Sequence, residues 1–558
     1  MTKKERLQIE GARQAALEQA RVRLTIVVIL FVGMFTVLGL RTIKLGLFEH
    51  VAEPVLAGRM TQETPVSRAD ILDRNGVILA RSLWTPSLYA EPALIDDPAT
   101  VAQKLALVLP ELSAPDLKAR FAGRRGYFRL KRSLTPKQQW QINAIGSLGL
   151  KFQMEEERVY PQGRLAAHVL GHVDADGRGQ YGIEAYLDHR LGAPELADDP
   201  LRLALDIRVQ HALTNRLREA MAAQSAAAAA GLVLDVHTGE VLAMASLPDF
   251  DLNVPSAGNC ACRFNHLVQG TYEMGSVFKT FTVAQGLETG VVGLGDSYDA
   301  TRPLRIASYT INDDHPKGRV LSIPEIFAYS SNIGSAQLAD QIGGEAQRAF
   351  LGALGLLQPP AIELEDVSEP QSPERWRRVN TMTISYGYGV SVSPLQLASG
   401  VAAIVNDGHL IRATLVKQPD EARIDGKRVI SAATSLKMRR LMRHVVEYGT
   451  GRNADVPGYR VGGKTGTARK MLPGGGYNRA AVLSSFVGAF PIDDPRFLIL
   501  VMLDEPAGVD GTLKTAGGGW VAAPVAAEVI TRVAPMLGVR PADGQTAPMR
   551  HAALIANE

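Results

Sequence analysis

Apolar positions form one long uninterrupted run near the start of the chain. Residues 24–40 contain no charged side chain, and a helix of this length nearly crosses a ~30 Å hydrocarbon layer at ~1.5 Å per residue. The run is followed by Arg41-Thr42-Ile43-Lys44, where a signal-peptide cleavage site would need small residues. We therefore expect an uncleaved membrane anchor rather than a removed signal or a buried core helix. Six cations precede the run and only Arg41 and Lys44 follow it closely, which favours a cytoplasmic N-terminus with the rest of the chain outside.

The next region, from residue 48 to about residue 201, has a mixed pattern without a strong chemical signature. Residues 71–80 alternate like a β-hairpin, and Asn75-Gly76 supplies turn residues that tolerate positive φ. Five charged residues accompany this pattern: Arg68, Asp73, Arg74, Arg158 and Glu184. They could bind a ligand, but charged side chains between strands usually pair with one another, so we favour structural ion pairs.

A larger domain is predicted to begin near residue 201. Apolar residues recur at every fourth position from Val209 to Met221, which predicts a helix. Two pairs of apolar runs have the pattern of buried antiparallel strands, 231–235 with 241–245 and 483–490 with 497–503. The sequence between the two pairs is largely helical, so we expect an antiparallel sheet flanked by helices.

These patterns together predict an α+β protein with a single N-terminal transmembrane helix, a mixed N-terminal domain and a larger domain built on an antiparallel sheet flanked by helices. A chain of 558 residues is too long for one ordinary core. The expected boundaries are a cytoplasmic arm at 1–23, the anchor at 24–40, a mixed N-terminal domain at 41–200, the larger domain at 201–537 and a flexible tail at 538–558.

Composition excludes several classes of protein. Hydrophobic residues make up 46% and charged residues 21% of the chain, which describes a folded protein. The net charge of +3 is small for this length and gives no support to nucleic-acid binding. Two cysteines cannot form a disulfide framework or a four-ligand zinc site. Because a disulfide across one intervening residue is strained, we expect Cys260 and Cys262 to be packed or free thiols.

Three short segments carry the candidate chemistry, and the first places a lysine one helical turn from a serine. Ser276 precedes an apolar-periodic run, so it is predicted at a helix N-terminus with Lys279 on the same face. A serine hydroxyl needs a base to become a nucleophile. Lys279 could serve if burial, and a second cation such as Lys464, lowered its pKa. Alone, the spacing is typical of many helices that carry an exposed lysine.

The second segment is Ser330-Ser331-Asn332. Ser322 and Glu325 have capping-box spacing before it, and a new helix is predicted near Ile333. Ser330 and Asn332 therefore belong to a turn between two helices, where short polar side chains can project into a cleft. Residues in such turns usually act only as caps.

The third segment, 461–468, contains Lys464, Thr465, Gly466 and Thr467. With Gly458 it also satisfies the phosphate-loop expression G-x-x-x-x-G-K-[ST]. A phosphate loop leads into a helix, whereas the sequence after Lys464 has the pattern of a strand, and nucleotide would be absent outside the membrane. We therefore reject the nucleotide interpretation.

The three segments, in this order, resemble the penicillin-binding protein and serine β-lactamase superfamily. Further matches are similar to class B penicillin-binding proteins: 68–80, 158–184, 205–210, 272–276, 387–389, 394–398, 449–451 and 522–524. The Tyr-Glu-Met-Gly-Ser form at 272–276, the short arm and the length most resemble the cell-division, FtsI-like branch. Ala69 and Met274 stand where members often have glycine and proline.

The resemblance implies a penicillin-sensitive D,D-transpeptidase that cross-links peptidoglycan stem peptides at the division septum, without a metal or a cofactor. Ser276 would be the acylated nucleophile, Lys279 its base, Ser330 a proton shuttle, and Asn332 would orient Lys279 and the substrate amide. The backbone N–H groups of Ser276 and Thr467 would form the oxyanion hole. The donor carboxylate would be held by Lys464, Thr465 and Thr467, with Gly466 between the two threonines.

The same resemblance implies a single-pass protein of the inner membrane that is inhibited by β-lactams. It assigns residues 41–200 to an elongated pedestal or interaction domain and residues 201–537 to a periplasmic, catalytic transpeptidase domain. No glycan-polymerising domain is recognisable before residue 200, so an FtsW-like membrane glycosyltransferase, alongside other division proteins, is the expected partner. An elongation-type transpeptidase and a non-catalytic division scaffold remain alternatives. A β-lactamase would share the acylation residues but would not need the anchor or the long N-terminal region.

Overall fold

The computed structural model describes residues 21–41, 67–123, 126–254, 260–306, 309–419, 426–472 and 476–542. The chain divides into two units, residues 1–65 and 66–558. Within the first unit, helix α1 (Arg21–Arg41) contains the whole predicted anchor, and among the described residues it is the one helix long and apolar enough to cross a membrane. The predicted tail falls mainly on residues 543–558 and the cytoplasmic arm on residues 1–20, which lie outside the described residues.

The second unit begins with a mixed region that contains the predicted hairpin. Its elements are β1 (Ile71–Leu72), β2 (Ile78–Ala90), α2 (Pro98–Val108), α3 (Ala114–Gly123), β3 (Phe128–Lys131), α4 (Pro136–Asn143), β4 (Leu150–Val159), α5 (Ala167–Leu170), α6 (Gly182–Tyr186), α7 (Asp188–Leu191) and β5 (Leu201–Arg202). The sheet order is β3-β2-β1-β5, and β4 pairs with β2 along its length. Gly76 has φ +89° in the turn between β1 and β2, so the hairpin prediction is confirmed.

Four of the five charged residues of this region form ion pairs and the fifth, Asp73, caps a turn, which confirms the structural interpretation. Glu184 is fully buried between two guanidinium groups: Arg68 Nε lies 2.7 Å from its Oε2 and Arg158 Nε lies 2.8 Å from its Oε1. Arg74 pairs with Glu240 at 3.2 Å. Asp73 Oδ1 accepts the backbone N–H of Asn75 and Val77 and so shapes the hairpin turn.

The rest of the unit is built on a second sheet. Its elements are α8 (Ile207–Ala223), β6 (Ala228–Asp235), β7 (Val241–Leu247), α9 (Lys279–Glu288), β8 (Ser297–Asp299), β9 (Leu304–Ile306), β10 (Tyr309–Ile311), β11 (Val320–Ser322), α10 (Ile323–Tyr329), α11 (Asn332–Ile342), α12 (Gly344–Ala353), α13 (Arg378–Ile384), α14 (Pro394–Val405), β12 (His409–Leu410), β13 (Lys427–Arg428), α15 (Ala432–Tyr448), β14 (Gly462–Met471), β15 (Tyr477–Phe490), β16 (Phe497–Asp504) and α16 (Ala522–Met536).

The order of this sheet is β14-β15-β16-β6-β7, antiparallel throughout. Successive residues of β16 point to opposite faces. Phe497, Ile499 and Val501 join a core with helices α8 and α16, whereas Leu498 and Leu500 join a core with α9, α14 and α15. Both faces are therefore covered by helices, and the predicted α+β build with its two strand pairs is confirmed.

The cysteine prediction was wrong, because Cys260 and Cys262 are joined in a disulfide, with Cα atoms 5.0 Å apart. Cys260 caps a 3₁₀ turn, Ala261–Arg263, and Cys262 is the middle residue of that turn, which brings the two sulfur atoms together across one residue. The backbone oxygen of Cys262 lies 2.8 Å from Nε2 of the buried His168 on α5. This loop therefore connects the mixed region to the segment that leads to Ser276.

Candidate active site

Ser276 lies in a 3₁₀ turn, Gly275–Phe278, that continues directly into α9. This places it at a helix N-terminus, as the apolar periodicity predicts. Gly275 has φ +55°, and a Cβ there would lie 2.6 Å from the backbone oxygen of Thr467. Only glycine allows this close approach, which sets the serine against strand β14.

Lys279 has four oxygen atoms around its amine. Its Nζ lies 2.9 Å from Ser276 Oγ, 2.6 Å from Ser330 O, 3.0 Å from Ser330 Oγ and 2.6 Å from Asn332 Oδ1. Lys279 is fully buried, and burial lowers its pKa to about 7.

The geometry around Lys279 matches a neutral amine. The two shortest contacts are to the carbonyl oxygens of Ser330 and Asn332, which can only accept, so they take two N–H donors. A neutral amine then has one lone pair left, and a hydroxyl must donate to it. The hydroxyls of Ser276 and Ser330 both lie within reach of that lone pair, at 2.9 Å and 3.0 Å. Donation by Ser276 is the arrangement that a serine nucleophile and its base require.

Ser330 brings a carbonyl and a hydroxyl to the same lysine because of its backbone. It caps α10 in the left-handed region, at φ 63° and ψ 44°, which a serine adopts at some cost. The capping box of Ser322 and Glu325 starts this helix as predicted. The hydroxyl of Ser330 also lies 3.0 Å from Lys464 Nζ, so it bridges the two lysines.

Asn332 begins α11 and is held by a residue that no sequence pattern indicates. Asp313 Oδ1 accepts the backbone N–H of Asn332 at 2.6 Å and that of Ile333 at 3.0 Å, while its Oδ2 accepts the Ser331 hydroxyl at 2.8 Å. The side-chain amide of Asn332 donates to the backbone oxygen of Asn312 at 2.9 Å. The Asp313 carboxylate is stabilised by the positive N-terminal end of α11. It holds the backbone of Asn332 so that the side-chain Oδ1 of this residue faces Lys279.

Lys464 is also fully buried, on β14. Its Nζ donates to Ser330 Oγ and, at 3.2 Å, to the backbone oxygen of Thr465. Burial first, and then the nearby Lys279, lower the pKa of Lys464 well below its ordinary value. For Lys279, in contrast, burial lowers the pKa, and the charges of Asp314 and Asp313 oppose the change. Of the two causes expected from the sequence, burial and a second cation, burial is therefore the one that lowers the pKa of Lys279.

The residues after Lys464 continue as a strand paired with β15, which excludes a phosphate loop because no helix follows. Thr465 Oγ1 lies 2.7 Å from Thr450 Oγ1. Thr467 is exposed, and its Oγ1 accepts the N–H of Gly518 at 3.0 Å. A side chain at Gly466 would overlap Ser485 and approach the backbone oxygen of Met274 at 2.7 Å. The predicted site residues from all three segments are therefore brought together.

A cavity of ≈ 1320 Å³ lies elsewhere in the described residues. It is lined by residues of the mixed region, among them Arg68, Arg158 and Glu156, together with residues 250–254, and by no residue of the three segments. The cavity size therefore does not identify the chemical site, whereas the buried lysine beside a serine does.

The comparisons with known proteins agree with this geometry. The model of the penicillin-binding protein transpeptidase domain matches residues 229–531, and that of the penicillin-binding protein dimerisation domain matches residues 63–193. A probable peptidoglycan D,D-transpeptidase FtsI of Caulobacter vibrioides is 39% identical over 543 residues, covering 95% of this chain and 91% of that protein. The Escherichia coli peptidoglycan D,D-transpeptidase FtsI is 29% identical over 528 residues, covering 88% of this chain and 87% of that protein.

Among solved structures, penicillin-binding protein 3 of Mycobacterium tuberculosis complexed with aztreonam superimposes with a TM-score of 0.68 at 26% identity, covering 87% of this chain and 98% of that one. The matched transpeptidase segment contains Ser276 and every residue described around Lys279. The chain therefore belongs to the penicillin-binding protein transpeptidase family.

Proposed function

We propose that this protein is a serine D,D-transpeptidase that cross-links peptidoglycan stem peptides during cell division. The observation that carries the proposal is the amine of buried Lys279, 2.9 Å from the hydroxyl of Ser276, with a pKa of about 7. A base with a pKa near the working pH is unprotonated in a substantial fraction of molecules and is still able to hold the proton it removes.

In the first half-reaction Ser276 Oγ attacks the carbonyl carbon of the penultimate D-alanine of a donor stem peptide, and its proton passes to Lys279 Nζ. The bond to the terminal D-alanine then breaks. The departing amine takes a proton that Ser330 Oγ relays, since this hydroxyl lies 3.0 Å from Lys279 Nζ. The products are an ester on Ser276 and free D-alanine.

The negative charge that develops on the carbonyl oxygen is stabilised by the backbone N–H groups of Ser276 and Thr467. The close approach of Gly275 to the backbone of Thr467 supports this role, because it sets the two segments side by side. Asn332 keeps Lys279 in place and offers its amide to the donor backbone.

The donor's terminal carboxylate is bound by the hydroxyls of Thr465 and Thr467 together with Lys464. An anion beside Lys464 favours its protonated form and so opposes the effects of burial and of Lys279. Gly466 lets this strand lie against the serine segment. The substrate thus supplies the countercharge that the buried lysine lacks.

In the second half-reaction the amine of an acceptor stem peptide attacks the ester carbonyl. A new amide bond forms, the bond to Ser276 Oγ breaks, and the hydroxyl recovers its proton. One amide bond is exchanged for another, so the cross-link needs no nucleotide, which suits a site outside the cytoplasm.

The N-terminal part supports a membrane-bound arrangement. Helix α1 anchors the protein once in the inner membrane, with residues 1–23 in the cytoplasm and the catalytic domain in the periplasm, as the excess of cations before the helix favours. Residues 41–200 form the interaction domain and residues 201–537 the catalytic domain. An FtsW-like glycosyltransferase supplies glycan strands and contacts the anchor and the interaction domain.

Acylation by a β-lactam tests the chemistry. Intact mass after addition of benzylpenicillin should show a long-lived adduct on the peptide that holds Ser276, and Ser276→Ala should show none. Rapid loss of the adduct would favour a β-lactamase.

Growing cells test the division role. A fluorescent penicillin should label mid-cell in cells that carry this protein, whereas sidewall labelling would favour the elongation alternative. Complementation of a depleted strain by Ser276→Ala would favour a non-catalytic scaffold.

A further inference from the structure

Strand β14 presents one cation to the cleft that the proposed mechanism does not use. Side chains alternate along a strand, so Arg469 lies on the same face as Thr465 and Thr467. Like Thr467 it is exposed. Among the described residues its guanidinium has no carboxylate within ion-pair distance, whereas the next residue, Lys470, pairs with Asp504 at 2.9 Å and Glu505 at 2.7 Å.

The backbone of Arg469 is nevertheless fixed. Its N–H donates to the hydroxyl of Tyr388 at 3.2 Å. The ring of Tyr388 packs edge to face against Tyr386 and Tyr477, with ring centroids 5.8 Å and 5.3 Å away. Tyr477 in turn donates to Glu273 at 3.1 Å, three residues before the serine nucleophile. The backbone of Arg469 is therefore held by a cluster of packed tyrosines beside the segment that carries Ser276.

The direction of a bound donor follows from the proposed roles, on which this inference rests. With its terminal carboxylate at Thr465 and Thr467 and its reactive carbonyl at Ser276, an extended donor runs antiparallel to β14. Residues two apart on a strand are separated by roughly 6.6 Å, and an extended peptide has the same rise. The donor residue just before the acylated D-alanine therefore comes alongside Arg469.

We propose that Arg469 is a specificity-determining residue that binds a carboxylate on the side chain of this third stem residue. The preferred donor then carries a diamino acid whose side chain ends in a carboxylate as well as an amine, and lysine is disfavoured. Glu273, the nearby acid on the serine segment, is buried and already accepts the N–H of Gly389 at 2.6 Å. It therefore leaves the exposed guanidinium available to a ligand.

Three donor peptides test this, identical except for the third residue: meso-diaminopimelate, the same residue with its side-chain carboxylate amidated, and lysine. Acylation of the full-length protein by each donor is measured as kcat/KM. The free carboxylate should be preferred about five- to tenfold over both others, the range expected for one charge-assisted hydrogen bond in a cleft. Arg469→Gln should bring the ratios close to one, and Arg469→Lys should keep most of the preference.

Arg532→Gln, which removes an exposed arginine of α16 outside the cleft, is the matched control and should keep the preference. Equal rates for the three donors in the unmodified protein, or an unchanged ratio in Arg469→Gln, would overturn the assignment. Failure of the proposed function gives a different result, since then benzylpenicillin, which has no third stem residue, would also fail to acylate Ser276.

Discussion

Asp313 accepts the backbone N–H of Asn332 at 2.6 Å, so a carboxylate outside the three segments fixes the residue that holds the lysine base. The same side chain binds Ile333 N–H and the Ser331 hydroxyl. Removing it releases the start of α11 and lets the side chain of Asn332 move away from Lys279. The position of the base therefore depends on a loop far away in sequence.

Asp313→Ala should lower the rate of acylation by benzylpenicillin about tenfold or more, while the loss of a helix cap lowers the free energy of unfolding by about 0.5–2 kcal/mol. Stopped-flow acylation and chemical denaturation measure the two effects. The matched control is Asp97→Ala, which removes the carboxylate that caps α2 through Ala99 and Thr100. Equal acylation by the Asp313 and Asp97 variants would contradict the role.

The rate of acylation should depend on pH through Lys279. Burial lowers its pKa to about 7, and only the neutral amine can take the proton of Ser276. The rate should therefore rise about tenfold per pH unit below pH 7 and level off above it. Single-turnover acylation between pH 5.5 and 8.5 measures the profile, with circular dichroism showing that the fold persists. A rate that does not change across this range would exclude Lys279 as the base.

Gly387→Ala should slow acylation by displacing the backbone next to Ser276. Gly387 has φ +89°, and an added Cβ would overlap the backbone oxygen of Gly275, next to the nucleophile. The backbone strain alone costs about 1–3 kcal/mol, and the overlap should displace Ser276 and slow acylation further. Gly343→Ala is a close control, because Gly343 also has φ +89° but a Cβ there meets nothing within 4 Å. Similar acylation rates for both variants would show that the overlap is harmless.

Glu184→Gln should lower the free energy of unfolding without changing the rate at which Ser276 is acylated. The substitution leaves the buried guanidinium groups of Arg68 and Arg158 without their shared countercharge, and breaking a buried pair costs about 3–5 kcal/mol. Denaturation by urea measures the loss, and the folded fraction should still be acylated at the normal rate. Asp340→Asn, which breaks the exposed pair with Arg378, should change stability far less; an equal change in both would argue against this assignment of the buried cluster.

Sequence periodicity predicted the parts of the fold that depend on local patterns. The strand pairs β6-β7 and β15-β16 follow from apolar runs, and the start of α10 follows from Ser322 and Glu325. The site residues needed the order of three segments, since each alone is common. Asp313 could not be found in this way, because 19 residues separate it from Asn332 and its effect depends on the tertiary fold.

Two further features also lay beyond sequence patterns. The left-handed backbone of Ser330, which turns its carbonyl and hydroxyl toward one lysine, is set by the helices on either side. The disulfide of Cys260 and Cys262 was misjudged because the general strain argument ignores the local turn at Ala261–Arg263.

The two buried lysines link the chemistry of the site to the stability of the fold. In the unfolded chain a lysine keeps its proton up to about pH 10.4, whereas the folded protein releases the proton of Lys279 near pH 7. Between these values the unfolded state binds more protons, so the free energy of unfolding increases with pH, and Lys464, whose pKa is also lowered, acts in the same direction. Lowering the pH from about 10.4 to about 7 therefore weakens the fold, and below that range Lys279 makes no further contribution because both states carry its proton. An occupied carboxylate site, by pairing with the protonated amine of Lys464, should restore part of this stability.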